Sequence, residues 1–293
     1  MIGTIVRAIS SFYYVEVGEK IYECKARGIF KHKSKSLFVG DKVQIDILDE
    51  ANKKANIVEM LPRINLLKRP PIANATQAML VFALKNPDPN LSLIDRFLVL
   101  AQQQELEIVI VLNKMDIDDA NLAEFVKSCY EPLGYPVIPI SATDGINIEE
   151  VRKYLSNHIS IVAGPSGAGK STLINALIKT DLKTGDVSEK IGRGRHTTRY
   201  VELIPIDEYS YIADSPGFSS IDLNELDEFE LRENFIEFHE YDTDCKFGAN
   251  CLHENEPQCQ VKWAVENEKL SKQRYKSYLQ LLNEIREQRR RNY

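Results

Sequence analysis

Residues 164–171 read Gly164-Pro165-Ser166-Gly167-Ala168-Gly169-Lys170-Ser171, the spacing G-x-x-x-x-G-K-[ST]. Small residues at that spacing let successive backbone N–H groups converge on phosphate oxygens at a helix N-terminus. Lys170 is expected to neutralise the β- and γ-phosphates through transfer, and the Ser171 hydroxyl to ligate Mg²⁺. Thr172 continues the cradle into the helix. The loop follows the run HISIVA and precedes STLINALIK, so a strand must deliver it and a helix must leave it.

A phosphate cradle does not choose a base. Asn113-Lys114-Met115-Asp116, directly after EIVIVL, has the form N-K-x-D. Asp116 can accept both N1–H and the exocyclic amine of guanine, whereas adenine offers a lone pair at N1 and no amine at C2. Leaving such a carboxylate without donors discriminates by about 10⁴, so GTP is expected over ATP. Lys114 would lie along the base plane, Asn113 would tie the loop together, and Met115 is counted with them among the nucleotide-binding positions. Ser141-Ala142, after the next strand, resembles the S-A loop whose backbone amide meets guanine O6.

Asp214-Ser215-Pro216-Gly217 fits D-x-x-G, with the aspartate facing Mg²⁺ and the Gly217 N–H sensing the γ-phosphate. Between the cradle and this element lies GRGRHTTR, residues 192–199, where Thr197 or Thr198 would complete the Mg²⁺ shell; Thr198 is preferred. These elements resemble those of the translation-factor class of small GTPases, but in an altered order. Here N-K-x-D and S-A precede the P-loop, the threonine and D-x-x-G, which is a circular permutation. Nearby termini make one possible in a sheet surrounded by helices.

Cys245-x5-Cys251-x-His253-x5-Cys259 offers three thiolates and one imidazole. A Cys₃His set closes a tetrahedral zinc shell with no place for water, hence a structural ion. His239 and Asp244 are alternative ligands, and Cys24 and Cys129 stand among apolar neighbours as core residues.

The elements that must hold these groups can be read from pattern. Gly3–Ser10, Phe12–Val17, Lys20–Ala26 and Lys42–Ile47 are short β-rich runs, which indicates a small barrel of OB type, an SH3-like barrel being the alternative. Lys68-Arg69-Pro70-Pro71 interrupts regular structure. Beyond it the apolar runs 78–84, 107–112, 137–140, 159–163, 200–206 and 209–213 alternate with helical stretches 93–104, 121–130, 148–156 and 170–179. This is the texture of a mainly parallel, helix-flanked sheet. Residues 224–241 read as one helix, 242–260 as a cysteine-rich loop, and Trp263–Arg290 as one long helix. The expected fold is multidomain: an all-β barrel (1–69), a permuted α/β P-loop domain (70–222) and a helical zinc-binding domain (223–293).

The chain has 293 residues, 43% hydrophobic and 27% charged, which fits folded globular domains. Its longest apolar run is seven residues, against the roughly 18 of a membrane span, and its N-terminus lacks a signal peptide's layout. Five cysteines, three of them crowded together, suit a reducing cytoplasm. The net charge is −6, yet residues 1–70 carry 13 Lys+Arg against 8 Asp+Glu, and residues 262–293 carry nine against four. Basic ends around an acidic middle suit a nucleic-acid partner.

Together the N-terminal β domain, NKMD, GPSGAGKS, DSPG, GRHTT and the C-x5-C-x-H-x5-C segment resemble the ribosome small-subunit-dependent GTPase A (RsgA) family of bacteria, over nearly the whole chain. The resemblance implies a GTP hydrolase acting late in assembly of the small (30S) ribosomal subunit and stimulated by it. Its OB and zinc domains would grip rRNA on either side of the G domain. GTP/GDP, Mg²⁺ and one structural Zn²⁺ are the expected cofactors. Phe218 stands where Ras-like proteins place a water-orienting glutamine, so intrinsic hydrolysis is expected to be slow. His196, within GRHTT, takes that role as the expected catalytic residue, a surface or RNA contact being the alternative. A monomer is expected. Competing readings are a metabolic P-loop enzyme or kinase, and an RNA-binding module with vestigial hydrolysis.

Overall fold

The structure, a computed structural model, describes residues 1–26, 36–68, 71–118, 121–179, 201–214, 223, 226–242 and 244–291. They form two compact units: Met1–Met79 with Ile148–Val162 and Ser171–Ser220, and Leu80–Asn147 with Ala163–Lys170 and Ile221–Tyr293.

In the first unit, β1 (Ile2–Ile9), β2 (Phe12–Val17), β3 (Lys20–Ala26), β4 (Lys42–Asp49) and β5 (Lys54–Met60) close into a barrel. Around the ring the order is β1-β2-β3-β5-β4 and back to β1, with β3 and β5 parallel and the other pairs antiparallel. That five-stranded closure is an OB-type barrel. Alternation in β4 sends Val43 and Ile45 inward with Ile5, Val15, Tyr22, Cys24 and Ile57, all buried. Buried Asp41 takes both Nε and Nη2 of Arg63, at 2.5 and 2.7 Å, and the Phe38 N–H at 2.7 Å, so its charge is fully met.

β6 (Gln77–Ala83), buried at every residue, begins the α/β part. It is followed by α1 (Leu91–Gln102), β7 (Glu107–Asn113), α2 (Leu122–Tyr130) and β8 (Val137–Pro139), and in the second unit the strand order is β6-β7-β8. Then come α3 (Ile148–Leu155), β9 (Ile159–Ala163), α4 (Lys170–Lys179), β10 (Glu202–Pro205) and β11 (Tyr211–Asp214). β11 runs parallel to β9, and β10 runs antiparallel to both β11 and β1.

The C-terminal part corrects two expectations. Residues 224–241 are not one helix: α5 (Glu228–Glu233) starts at a capping box in which Asp227 accepts from Phe229 and Glu230 N–H, and Glu230 accepts from Asp227 N–H. It stops at Asn234, because the chain turns to bury Phe235 against Phe238 and Tyr278 before a 3₁₀ turn (Ile236–Phe238) and α6 (His239–Asp242). Nor is Trp263–Arg290 continuous. α7 (Gln260–Glu266) and α8 (Lys272–Arg291) are separated by a Schellman motif, with Lys269 N–H on Ala264 O, Glu268 N–H on Val265 O, and Glu268 itself left-handed at φ 60°. Without the glycine that usually marks such a stop, the sequence hid it.

α8 buries Tyr278, Leu281, Leu282 and Ile285 on the same stripe as Arg274. Arg274 donates from Nη1 to Asp95 on α1 at 2.6 Å, and from Nε and Nη2 to Glu237 at 2.5 and 2.8 Å. Tyr130 Oη donates to the same Asp95 oxygen at 2.9 Å, and Arg96 pairs with Glu284. These contacts fasten α8 to α1. No described helix is long and apolar enough to cross a membrane.

Candidate functional site

β7 and β8 are parallel neighbours paired at Ile110↔Val137 and Leu112↔Pro139, so the loops after them leave the sheet side by side. β7 ends on Asn113, which is 3% exposed and divides its side chain among three backbone groups. Its Nδ2 donates to Ala168 O at 3.0 Å, while Oδ1 accepts from Lys114 N–H at 2.8 Å and Ala142 N–H at 3.0 Å. One amide thus ties N-K-x-D to the P-loop and to the S-A loop. Lys114 is left-handed at φ 66°, and its Nζ donates to the Asn86 carbonyl. Met115 N–H donates to Ile140 O at 3.0 Å, seating the 3₁₀ turn that carries Asp116. Asp116 is exposed, so its carboxylate is open to a ligand. Ser141 Oγ, buried, donates to Asp144 Oδ2 at 2.8 Å, and the Ala142 amide is already committed to Asn113.

The cradle needs its glycines for packing as well as for phosphate. Gly164 has φ 143°, and a Cβ there would lie 2.0 Å from Val81 O, so the loop begins pressed against β6. Gly169 has φ 88°, and its Cβ would lie 2.2 Å from Asn113 Nδ2, in the place that the Asn113–Ala168 bond requires. Pro165 and Ala168 shape the loop, whose crest at Ser166 and Gly167 is exposed. Lys170 Nζ donates to Gly164 O and Pro165 O, both at 2.7 Å, and so folds over the loop. Ser171 and Thr172 are exposed in the first turn of α4. The backbone of Asp214 ends β11 opposite Glu202. His196, Thr197, Thr198, Gly217 and Phe218 lie outside the described residues.

The other cluster is Cys245, Cys251, His253 and Cys259, all buried, with their ligand atoms within 4.8 Å of one another. His253 Nδ1 lies 3.3 Å from Cys259 Sγ and 3.7 Å from Cys245 Sγ, and the two sulfurs are 3.9 Å apart. Ligands 2.3 Å from a tetrahedral centre lie about 3.8 Å apart, so the spacing suits zinc. Asp242 Oδ1 lies 2.7 Å from the other imidazole nitrogen, which leaves Nδ1 as the nitrogen that faces the cluster. Gln260 N–H points at Cys245 Sγ and Lys262 N–H at Cys259 Sγ. Burial pushes the Cys251 thiol up to about 12, raises Cys259, and lowers His253. Thiolates in such a buried pocket need positive charge beside them, and a divalent cation held by these four residues would supply it. His239 instead faces Glu233, at 3.3 Å, and neither it nor Asp244 belongs to the cluster.

The model of the RsgA GTPase family matches residues 60–224, and that of the RsgA N-terminal domain matches residues 2–57. The chain belongs to the RsgA GTPase family. Among its relatives, the small ribosomal subunit biogenesis GTPase RsgA of Alkaliphilus metalliredigens is 46% identical over 290 residues, 98% of this chain and 99% of that protein. The same-named protein of Caldanaerobacter subterraneus is 44% identical, covering 99% of this chain and 98% of its own. YjeQ from Thermotoga maritima superposes with a TM-score of 0.81 at 37% identity, covering 97% of this chain and 98% of that one. YloQ, described as a circularly permuted GTPase, gives 0.79 at 35% identity, covering 98% and 95%. A permuted GTPase with an N-terminal barrel and a C-terminal Cys₃His cluster is therefore the architecture of this RsgA-family chain, and GTP hydrolysis is its enzymatic class.

Sequence reasoning did not single out Asp242, Asn86 or the Arg274–Asp95–Glu237 group. For the last there was a signal. Arg274 shares the i, i+4, i+7, i+8 stripe of Tyr278, Leu281 and Leu282, and an arginine on an apolar stripe needs a buried partner.

Proposed function

We propose that this chain hydrolyses GTP at a late step in assembly of the small ribosomal subunit, with hydrolysis stimulated by the subunit. The observation that supports the nucleotide half of this reading is the Asn113–Ala168 bond, which ties the N-K-x-D loop to the P-loop. The ribosomal half is supported by the names of the relatives, which align with the chain almost end to end.

In this reading Asp116 reads guanine, with Asn113, Lys114, Met115, Ser141 and Ala142 around the base. Residues 164–172 hold the phosphates, and Asp214 and Gly217 sense the γ-phosphate. Lys170 leaves the loop carbonyls to meet phosphate charge. Mg²⁺ held by Ser171 and Thr198 would neutralise charge that develops in transfer. His196 orients water, and zinc held by Cys245, Cys251, His253 and Cys259 stabilises the C-terminal region. The barrel (1–69) and the zinc domain (223–293) contact rRNA around the G domain (70–222), and the protein works as a cytoplasmic monomer.

Steady-state hydrolysis of GTP and ATP, with and without purified small subunits, tests this. GTP turnover should rise with subunits and ATP turnover should stay negligible. Equal turnover of both nucleotides would defeat the base assignment, and indifference to subunits the ribosomal one. Loss of stimulation in His196→Ala with GTP affinity retained is the expected signature of its role.

A further inference from the structure

The hairpin β10–β11 lies, in sequence, between the two stretches that carry nucleotide-sensing residues: Thr197 and Thr198 precede β10, and β11 ends on Asp214. The same hairpin is joined to the barrel. β1 pairs antiparallel with β10, placing Arg7 opposite Glu202, and Glu202 is in turn opposite Asp214. A barrel strand is therefore two strand spacings, about 10 Å, from the Asp214 backbone.

A second contact lies at the other end of β11. Tyr211 is buried, and its hydroxyl bonds with the Glu16 carboxylate on β2 and the Thr4 hydroxyl on β1, while burial and Glu16 raise its pKa. On its other side the Tyr211 N–H donates to His158 O at 2.8 Å, and β9 runs alongside in the register Tyr211↔Ile159. β1 and β2 approach closely here, since a Cβ on Gly3 would lie 2.3 Å from Glu16 O. The two links differ in strength. Arg7 Nη1 and Glu202 Oε1 are 3.5 Å apart and both partly exposed, and such solvent-screened pairs contribute little. A buried phenol bonded to a carboxylate is the firmer link.

We propose that Tyr211, held by Glu16 and Thr4, is a positioning residue: through it a polyanionic partner bound on the barrel sets the strand that ends on Asp214. The assignment rests on the proposed function for the identity of the partner. Coupling between two sites is reciprocal, so nucleotide state must also be felt in the barrel.

That reciprocity gives a test without ribosomes. Peptide-resolved amide exchange of residues 2–17 is compared in GDP and in a non-hydrolysable GTP analogue, for wild type, Tyr211→Phe and Glu16→Gln. Wild type should show an exchange difference of about fivefold or more between nucleotides, Tyr211→Phe should lose it, and Glu16→Gln, which keeps an acceptor, should retain most of it. With small subunits, stimulated kcat of Tyr211→Phe should fall about tenfold while unstimulated turnover is unchanged. Identical exchange in both nucleotides for wild type, or an undiminished difference in Tyr211→Phe, overturns the proposal. Should Tyr211→Phe fail to fold, Thr4→Val breaks the contact from the barrel side and is judged by the same criterion. If exchange behaves as expected but subunits leave wild-type hydrolysis unchanged, the coupling stands and the ribosomal reading falls.

Discussion

Asn113 and Ala168 are 55 residues apart and joined by a hydrogen bond of 3.0 Å from the Asn113 amide to the Ala168 carbonyl. Permutation exchanged the order of the two motifs along the chain, and this bond keeps them adjacent in space. Asn113→Ala would strand the Ala168 carbonyl and the Lys114 and Ala142 N–H groups, each a loss of about 1–3 kcal/mol where burial is complete. Affinities for GDP and GTP should fall together by about 10²-fold or more, measured by titration with a fluorescent GDP. Unchanged affinity would mean that the loops hold register without it.

Two glycines separate backbone strain from steric conflict. Gly145 has φ 75° with open space around its absent Cβ, so Gly145→Ala should cost only about 1–2 kcal/mol in denaturant unfolding and leave nucleotide binding intact. Gly169→Ala must also displace Asn113, so nucleotide binding should be lost in addition. Equal behaviour of the two variants would contradict this.

Arg274→Met removes the cation between Asp95 and Glu237. Breaking a buried pair in this way costs about 3–5 kcal/mol. Burial already raises the Asp95 pKa, and Arg274 is the chief influence lowering it. In the variant it must rise further above the unfolded value. A carboxyl with a raised folded pKa has its stability in full below the unfolded pKa and loses it as pH rises through the folded one. The deficit relative to wild type should therefore be larger at pH 8 than at pH 5, as measured by urea unfolding at both.

Trp263 is the single tryptophan; it is half-exposed in the first turn of α7, and its backbone N–H donates to the carbonyl of the cluster residue Cys259 at 3.1 Å. Its emission should report the metal cluster. Chelation should shift the emission and lower the unfolding temperature, and one equivalent of zinc should restore both. Cys251→Ser should resemble the chelated protein. Emission insensitive to chelation would argue that the cluster holds no ion.

Much of this was legible in sequence, because the governing signals were local. The P-loop, N-K-x-D and the Cys₃His spacing each fit within 15 residues, and Phe12–Val17, Lys20–Ala26, Ile159–Ala163 and Lys170–Lys179 match the expected bounds. β5 was not named among the barrel runs, since its polar residues, Lys54, Asn56 and Glu59, dilute the apolar pattern. The stops at Asn234 and Glu268 escaped because tertiary burial of Phe235 and a left-handed glutamate replaced the usual glycine and proline marks. Asn113 was expected to tie its own loop together; that it also holds Ala168 depends on a contact between distant segments, which no local pattern displays.

The grip of α8 on α1 has a consequence for the newborn chain. Arg274 and Asp95 are 179 residues apart, so α1 emerges from the translating ribosome long before the helix that covers it has been made. Until α8 has been made, the apolar flank and acidic group of α1 lack their mate, and this unit can close only once that helix has emerged. A chain cut before Arg274 would then be a permanently unfinished molecule instead of a merely shortened one.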